Sequence, residues 1–418
     1  MSKEMRSEAA REVVSMLPNR ARDLARLQTL AGRAEPTVTV IGKYNHGKSR
    51  LLNELIGRDT FAVADRRETM QLAGSVHQGV RWLDAPGLDA DVGSGDDRHA
   101  LQAAWLESDI RLFVHAAKEG ELDTRELSLL KALHVDSART QRQTLFVLSQ
   151  ADQLADDVEL AKVGDAIGAQ VPGLTLNVVS STRHRKGLEG NRKLLLEKSG
   201  IPDLRVALAA ALASVPNARA HETALLFGEI RAELQALRAG REAALEALCR
   251  TQREQRQDFD QGLDAVVEKV GGTIGAMLDA LGTDHAAVPD SARDAYAITA
   301  GKLERAQIQI VYSRACIEID AFLAGHGVVG LPQAQQTAAR SLNSVMVAVM
   351  GVSVKFRKDL RRMFCEASGR QRMQREFTQY FEVSADRQTL ATRIVDIESI
   401  IAALDKALAA LATLEAVA

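Results

Sequence analysis

The chain of 418 residues contains only three cysteines, Cys249, Cys316 and Cys365, and they lie far apart. There is no CxxC pair and no histidine near them at ligand spacing, so we expect neither a disulfide framework nor a zinc site. No run approaches the ~18 to 20 apolar residues that a transmembrane helix needs, and the N-terminus lacks the apolar core of a signal peptide. We therefore expect a cytoplasmic protein, either free or peripheral on the cytoplasmic face of a membrane.

Aromatic residues make up 4% of the chain, which argues against an all-β sandwich. The 53 Lys and Arg residues are balanced by 55 Asp and Glu residues, so no whole-chain field attracts nucleic acid, and we expect no such partner. The hydrophobic content of 46% and charged content of 26% exclude disorder as the dominant state. The length predicts two or three domains.

Proline divides the chain, because six of the eight prolines lie at or before Pro216. Short apolar or β-branched runs alternate with amphipathic stretches between residues 36 and 202, which is typical of a mostly parallel sheet with helices on both faces. The predicted strands are 37–41, 80–84, 109–116, 144–149 and 176–180. Residues 1–35 are predicted to form a helical segment that packs on the C-terminal helices.

Residues 203–418 are rich in helix-forming residues and predict a long, nearly all-α bundle. The expected helices are 218–270, 290–324, 334–364, 370–382 and 386–416. We expect GGTIG (271–275) to break the first of them, and GVVGLP (327–332) to form a loop that leads into a tip region near 326–362.

The most specific string is GKYNHGKS, a full GxxxxGK[ST] phosphate-loop motif between the run TVTVI and a helical stretch. Backbone N–H groups in such a loop bind phosphate, the lysine reaches the β- and γ-phosphates, and the hydroxyl ligates Mg²⁺. A chance Gly-rich turn is the alternative. The candidate nucleotide ligands in the motif are Gly42, Lys43, Asn45, His46, Gly47, Lys48 and Ser49.

The string DAPG (84–87) ends the run VRWLD, where Asp84 could hold Mg²⁺ and the Gly87 N–H could sense a γ-phosphate. Thr69 is our candidate for a further Mg²⁺ ligand that is ordered while the γ-phosphate is present. Helix N-capping is the alternative role for Thr69. The metal set is thus Ser49, Thr69 and Asp84.

Base recognition is expected in the string SQAD (149–152), where GTPases have [NT]KxD. Asp152 would accept hydrogen bonds from guanine N1 and N2, while Gln150 stands in place of the lysine whose stem covers the ring. Ser181, which follows the run LNVVS, could place a backbone N–H on guanine O6, and a plain polar loop is the alternative.

Small Ras-like GTPases place a glutamine after DxxG to orient the attacking water, but this chain has Leu88 there. Catalysis is therefore assigned to Lys48, Thr69 and Asn45. Asn45 could ligate a K⁺ ion beside the phosphates, or it could stabilise the loop by backbone hydrogen bonds. Lys43 or Arg67 could instead supply positive charge, and the sequence leaves this open.

The segment GKYNHGKSRLLNELIGRDTFAVADRRETM, with LDAPGLD behind it, resembles the dynamin superfamily, especially bacterial dynamin-like and mitofusin-like GTPases. The resemblance covers about 36–200. It implies a GTPase domain that binds GTP or GDP with Mg²⁺, dimerises across its nucleotide faces, and is attached to helical neck and stalk bundles. It also implies, for many members, a membrane-binding tip. This chain departs from the family at Gln150 and in its shorter helical region.

The most apolar run is VMVAVMGVSV (345–354), followed at once by five basic residues, Lys355, Arg357, Lys358, Arg361 and Arg362. Residues 345–362 could lie on an anionic membrane surface. A core helix followed by a solvated basic face is the favoured alternative.

We expect a self-associating, dynamin-like GTPase that couples hydrolysis to movement of its helical part. The alternatives are a cytosolic switch whose helical half binds a protein partner, and a nucleotide-binding scaffold with little turnover.

Overall fold

The computed structural model describes residues 3–62, 73–85, 102–291, 294 and 296–417. The chain forms two compact units: Met1–Ala236 together with Leu404–Ala418, and Leu237–Ala403. The first unit therefore extends past residue 202, where the sequence placed the end of the α/β domain. Among the described residues, no helix is both long enough and apolar enough to cross a lipid bilayer.

The first unit contains a six-stranded sheet in the order β2-β3-β1-β4-β5-β6. Its strands are β1 (Thr37–Ile41), β2 (Ala73–His77), β3 (Val80–Asp84), β4 (Ile110–Ala116), β5 (Gln143–Ser149) and β6 (Leu176–Val178). The pairings are parallel except for β2, which is an antiparallel edge strand on β3. The five predicted strands are confirmed, and β2 was missed.

Helices cover both faces of this sheet. They are α1 (Lys3–Met16), α2 (Ala21–Gly32), α3 (Lys48–Ile56), α4 (Thr124–Thr140), α5 (Asp157–Gln170), α6 (Ser181–Glu189), α7 (Lys193–Glu197) and the first part of α8 (Ile201–Ala280). Alternate residues of β4 face opposite clusters: Leu112 packs with Leu51 of α3, and Phe113 packs with Leu130 of α4. This period of two is what burial on both faces requires. The predicted fold class is confirmed.

A buried carboxylate, Asp109, fixes the N-terminal helices to the sheet. It accepts hydrogen bonds from Arg26 of α2 (3.1 Å), from Arg219 of α8 (2.6 and 3.0 Å) and from the backbone N–H of Thr37 (2.8 Å). Burial would raise the pKa of Asp109, but the two guanidinium groups hold that pKa below its usual value. The segment before β1 is thus tied both to the sheet and to the start of α8.

The second unit contains the rest of α8 together with five further helical segments. These are α9 (Ala300–Gly325), α10 (Val345–Met350), α11 (Arg357–Phe364), α12 (Ala367–Glu382) and the first part of α13 (Ala385–Glu415). The apolar faces of α8 to α12 share one core that includes Phe259, Ile308, Leu360 and Phe377. The predicted long helical region is confirmed.

Two expectations about these helices are wrong. GGTIG does not break α8, because Gly271 lies in a close helix contact where an added Cβ would be 2.6 Å from the Phe364 carbonyl oxygen. The single helix expected over 334–364 is interrupted at Gly351, whose φ of 80° ends α10. Tyr312 donates hydrogen bonds to the carbonyls of Met350 and Gly351, which holds that break in place.

Candidate functional site

Two glycines allow the loop between β1 and α3 to take its shape. Gly42 has a φ of 149°, and a Cβ there would lie 2.1 Å from the Val114 carbonyl oxygen of β4. Gly47 has a φ of 80° and stands at the N-terminus of α3. Because both positions are closed to other residues, the loop can direct its backbone N–H groups into the space before the helix.

Lys48 and Ser49 begin α3 and face different partners. Lys48 Nζ donates a hydrogen bond to the Lys43 carbonyl oxygen (2.8 Å), so its ammonium group spans the loop. Ser49 Oγ donates to Asp84 Oδ2 (2.5 Å) at the end of β3. Two of the three residues that the sequence assigned to a metal, Ser49 and Asp84, are therefore adjacent.

The environment of Asp84 fits a divalent cation. Its Oδ1 atom is buried and has no hydrogen-bond partner among the described residues. Burial also raises the pKa of Asp84, because a carboxylate there lacks solvent. A bound Mg²⁺, which prefers oxygen ligands, would satisfy the orphaned oxygen and stabilise the charged form.

Asn45 and Gln150 meet across the mouth of the loop. Both have positive φ, 59° and 58°, and Gln150 Nε2 donates to the Asn45 carbonyl oxygen (2.6 Å). Gln150 therefore braces the phosphate loop from the end of β5. Gln150 binds the backbone oxygen of Asn45, whereas the exposed side-chain amide of Asn45 makes no hydrogen bond to a described residue, so its Oδ1 atom is available to a ligand.

Asp152 is half-buried on a short turn after β5. Its Oδ1 accepts a hydrogen bond from Ser180 Oγ (2.6 Å), and the same Oγ accepts from the Arg183 N–H and so caps α6. The other oxygen of Asp152 is left for a ligand, and Ser181 follows as the first residue of α6. The structure thus brings Asp152 and Ser181 to one corner, at the same sheet edge as the phosphate loop.

His46 and Lys43 point away from the loop opening. His46 is 3% exposed, and its Nδ1 lies 3.2 Å from the Val114 carbonyl oxygen and 3.6 Å from Glu126 Oε1. Burial lowers the pKa of His46 to about 4, so its ring is neutral. Lys43 Nζ lies 2.5 Å from Asp123 Oδ2 and 3.4 Å from Glu126 Oε2.

Sequence reasoning missed the partners behind the loop. His115 ends β4, Glu126 lies in the first turn of α4, and their side chains meet at 3.0 Å. Burial opposes the charge on Glu126, but the hydrogen bond with His115 keeps its pKa below the usual value. The capping box formed by Asp123 and Glu126 at the start of α4 is a local signal that could have drawn attention to these acids.

Two predicted ligands, Thr69 and Gly87, lie outside the described residues, as do Arg67 and Leu88.

Comparison with known proteins identifies the α/β part. A family model described as a 50S ribosome-binding GTPase matches residues 37–150. An uncharacterized protein of Acinetobacter baylyi, ACIAD1443, is 50% identical over 395 residues, which is 94% of each chain. This chain belongs to the family of ACIAD1443, and its α/β part is a P-loop GTPase domain.

Other relatives match this GTPase domain alone. GTPase Der of Streptococcus mutans is 29% identical over 128 residues, so the chain spans only 28% of that relative's length. Among solved structures, Aquifex aeolicus Era bound to GDP and AlF4⁻ has a TM-score of 0.31, with 22% identity over 39% of this chain and 56% of Era. Arabidopsis thaliana Toc33 with Mg²⁺ and GMPPNP has a TM-score of 0.33, with 17% identity over 50% and 92% of the two chains. The coarser expectation of a P-loop GTPase domain is confirmed, whereas membership of the dynamin superfamily stays a prediction.

Proposed function

We propose that this protein binds GTP and GDP with Mg²⁺ and hydrolyses GTP, and that it self-associates in a nucleotide-dependent, dynamin-like manner. One observation carries the nucleotide part of the proposal. Ser49 Oγ and the buried Asp84 carboxylate meet at 2.5 Å beside the Lys48 ammonium group, and the Asp84 Oδ1 atom has no hydrogen-bond partner among the described residues. This donor set suits a nucleotide-bound Mg²⁺, held by Ser49 and Asp84, with Thr69 as the third ligand.

The residues of the phosphate loop would have separate roles in GTP binding and hydrolysis. Backbone N–H groups of the phosphate loop bind the β-phosphate, and Lys48 spreads its positive charge over the β- and γ-phosphates. Bound Mg²⁺ neutralises phosphate charge. Asn45 lies at the mouth of the loop, where its free amide oxygen could hold a K⁺ ion that acts in place of a catalytic arginine.

Guanine selectivity is assigned to Asp152, whose Oδ2 has no hydrogen-bond partner among the described residues and whose Oδ1 can accept a second hydrogen bond besides that from Ser180. Guanine presents N–H donors at N1 and N2, which a carboxylate accepts together, whereas xanthine has a carbonyl at position 2. We expect Asp152→Asn to weaken GTP binding and to improve binding of xanthosine triphosphate. Equal loss of both nucleotides would contradict this role, and Asp156→Asn, an exposed N-cap of α5, is the matched control.

Coupling to the helical part is supported by a contact between α3 and α8. The Glu54 carbonyl oxygen in α3 accepts a hydrogen bond from Arg205 in the first turn of α8 (2.6 Å). The Glu54 carboxylate is buried and is paired with His184 (2.5 Å) and Arg185 (2.9 Å) of α6. A shift of α3 on nucleotide exchange would therefore displace the start of the long helix.

The deciding experiment measures GTP and ATP hydrolysis over a range of protein concentrations, in K⁺ and in Na⁺, with Lys48→Ala as the inactive control. A dimer-activated enzyme gains specific activity as concentration rises. GTP-selective turnover with that gain supports the proposal, and K⁺ dependence assigns a role to Asn45. Turnover independent of concentration supports the alternative, a cytosolic switch or scaffold whose helical half binds a protein partner.

An anionic membrane surface is a second candidate partner, through part of 345–362. Four of the ten residues in the apolar run, Val345, Met346, Met350 and Val354, are buried in the core of the second unit. Val352 and Phe356, however, are 73% and 40% exposed on the connection between α10 and α11. Both apolar side chains are therefore open to solvent.

The basic cluster beside this patch is partly neutralised. Arg357 pairs with Glu304, Arg361 with Asp279 (2.8 Å) and Arg362 with Asp359 (3.4 Å). That leaves Lys355 and Lys358, which have no carboxylate partner among the described residues.

Co-sedimentation with phosphatidylserine vesicles tests this surface. Lys355→Glu combined with Lys358→Glu should abolish any binding, because each lysine is worth about 1 kcal/mol at an anionic surface. The control is the same reversal at two exposed lysines of the first unit, Lys131 and Lys162. Binding that the tip variant retains would remove this candidate.

A further inference from the structure

Three buried side chains meet directly behind the phosphate loop: His46 from the loop, His115 from the end of β4 and Glu126 from α4. They are 3%, 0% and 1% exposed. Their ligand atoms all lie within 4.8 Å of one another. Two imidazoles and a carboxylate are a donor set that Zn²⁺ and related transition-metal ions bind.

The spacing of the donors suits such an ion. Glu126 Oε1 lies 3.0 Å from His115 Nδ1 and 3.6 Å from His46 Nδ1. Donors bound at the usual Zn–N and Zn–O distances in a tetrahedral site are about 3.3 Å apart. The Val114 carbonyl oxygen, 3.2 Å from His46 Nδ1, is the candidate for a fourth ligand.

The partners of the two ring nitrogens of His115 are an independent reason to expect a cation at this cluster. Its Nε2 atom faces the Gly120 carbonyl oxygen at 3.1 Å, which can only accept, so Nε2 carries a hydrogen. Its Nδ1 atom then faces the Glu126 carboxyl group, and a proton, on the ring or on the carboxyl group, or a metal ion must lie between these two atoms. Metal-binding histidines commonly donate the other ring N–H to a backbone carbonyl, as His115 does here.

We propose that His46, His115 and Glu126 form a structural site for a transition-metal ion of the Zn²⁺ class. The ion would clamp the phosphate loop to β4 and α4. Lys43 lies 3.4 Å from the second carboxylate oxygen of Glu126 and would remain its partner. The Mg²⁺ expected at Ser49 and Asp84 would be held by a separate, all-oxygen set.

The test begins with metal content. Because the donors are buried, the ion would enter during folding, so the full chain is produced in zinc-supplemented medium and analysed by mass spectrometry for metals. We expect one Zn²⁺ per chain in the wild type and at least about a tenfold loss of affinity in His115→Gln and Glu126→Gln. His134→Gln on α4 is the control and should retain the metal.

A second measurement, on the wild type alone, distinguishes this cluster from a cysteine site and does not depend on the variants folding. Co²⁺-substituted wild type should show d–d absorption without a thiolate charge-transfer band, because the site contains no cysteine. Two outcomes overturn the proposal: wild type without stoichiometric metal, or a thiolate band, which would assign the ion to a cysteine. Metal-free folded wild type would mean that His115 and Glu126 are joined by a hydrogen bond alone.

Discussion

Replacement of Asp109 by asparagine should strongly destabilise the first unit. The variant keeps the shape of the side chain but removes the charge that Arg26 and Arg219 face, and Asp109 is only 3% exposed at its side chain. Breaking a buried ion pair from one side costs about 3–5 kcal/mol. For a unit of this size, each kcal/mol lowers Tm by roughly 2–4 °C, so we expect a loss of about 6–20 °C.

The assay can follow this unit by itself. The chain has two tryptophans, Trp82 and Trp105, and both belong to the first unit. Tryptophan fluorescence during urea or thermal unfolding therefore reports on the sheet and its helices. Asp59→Asn is the control, because Asp59 pairs with Arg185 at the surface and should change Tm little. A loss for Asp109→Asn no larger than that of the control would refute the anchoring role.

The stability difference between wild type and Asp109→Asn should change with pH in a defined direction. The folded-state pKa of Asp109 lies below its unfolded value, so the charge contributes stability above the unfolded pKa of about 3.9. That contribution is lost as pH falls through the lower, folded-state pKa. The difference in unfolding free energy between wild type and Asp109→Asn should be full at neutral pH and should shrink in acid. A difference that grew on acidification would contradict the assignment.

Three further changes test the phosphate loop. Mg²⁺ should increase the GTP affinity of the wild type, and in Ser49→Ala that increase should be smaller by at least about tenfold. Titration with GTP in the presence and absence of a chelator measures it. Gln150→Ala removes one hydrogen bond to Asn45, worth about 0.5–1.5 kcal/mol, so GDP should dissociate roughly two- to twelvefold faster in stopped-flow measurements. Gly42→Ala should abolish nucleotide binding, because its Cβ would lie 2.1 Å from the Val114 carbonyl oxygen; unchanged binding would mean that the loop adopts another shape.

Much of the GTPase domain could be predicted because its signals are local. The run TVTVI, the motif with Gly42 and Gly47, and the acid that ends VRWLD each specify their own structure, and parallel strands bring their ends to one edge. The edge strand β2 was missed because AGSVH is short and holds a glycine, and its pairing with β3 is the main reason that it is a strand.

The remaining errors came from contacts distant in sequence. Gly271 suggests a helix break in the sequence. In the structure, α8 continues through it, and the glycine makes room for Phe364 of another helix. The sequence around Met350 and Gly351 predicts a continuous helix. In the structure, Tyr312 of α9 donates hydrogen bonds to their carbonyl oxygens and holds a break there. His46 stays a predicted nucleotide ligand of the loop, and its side chain lies against β4 and α4. A motif fixes the path of the backbone, but a side chain's direction depends on partners that the motif does not contain.

The phosphate loop has fixed contacts on one side and contacts that a nucleotide would replace on the other. On one side, Ser149 Oγ donates to the carbonyls of His46 (2.6 Å) and His115 (3.1 Å), which ties the loop to two strand ends. On the other side, Lys48 and Ser49 bind partners that a nucleotide and its cation would replace, the Lys43 carbonyl and Asp84. A ligand therefore exchanges contacts at the start of α3 while the back of the loop stays fixed. Under the proposed coupling, a displacement of α3 would reach α8 through the hydrogen bond between the Glu54 carbonyl oxygen and Arg205.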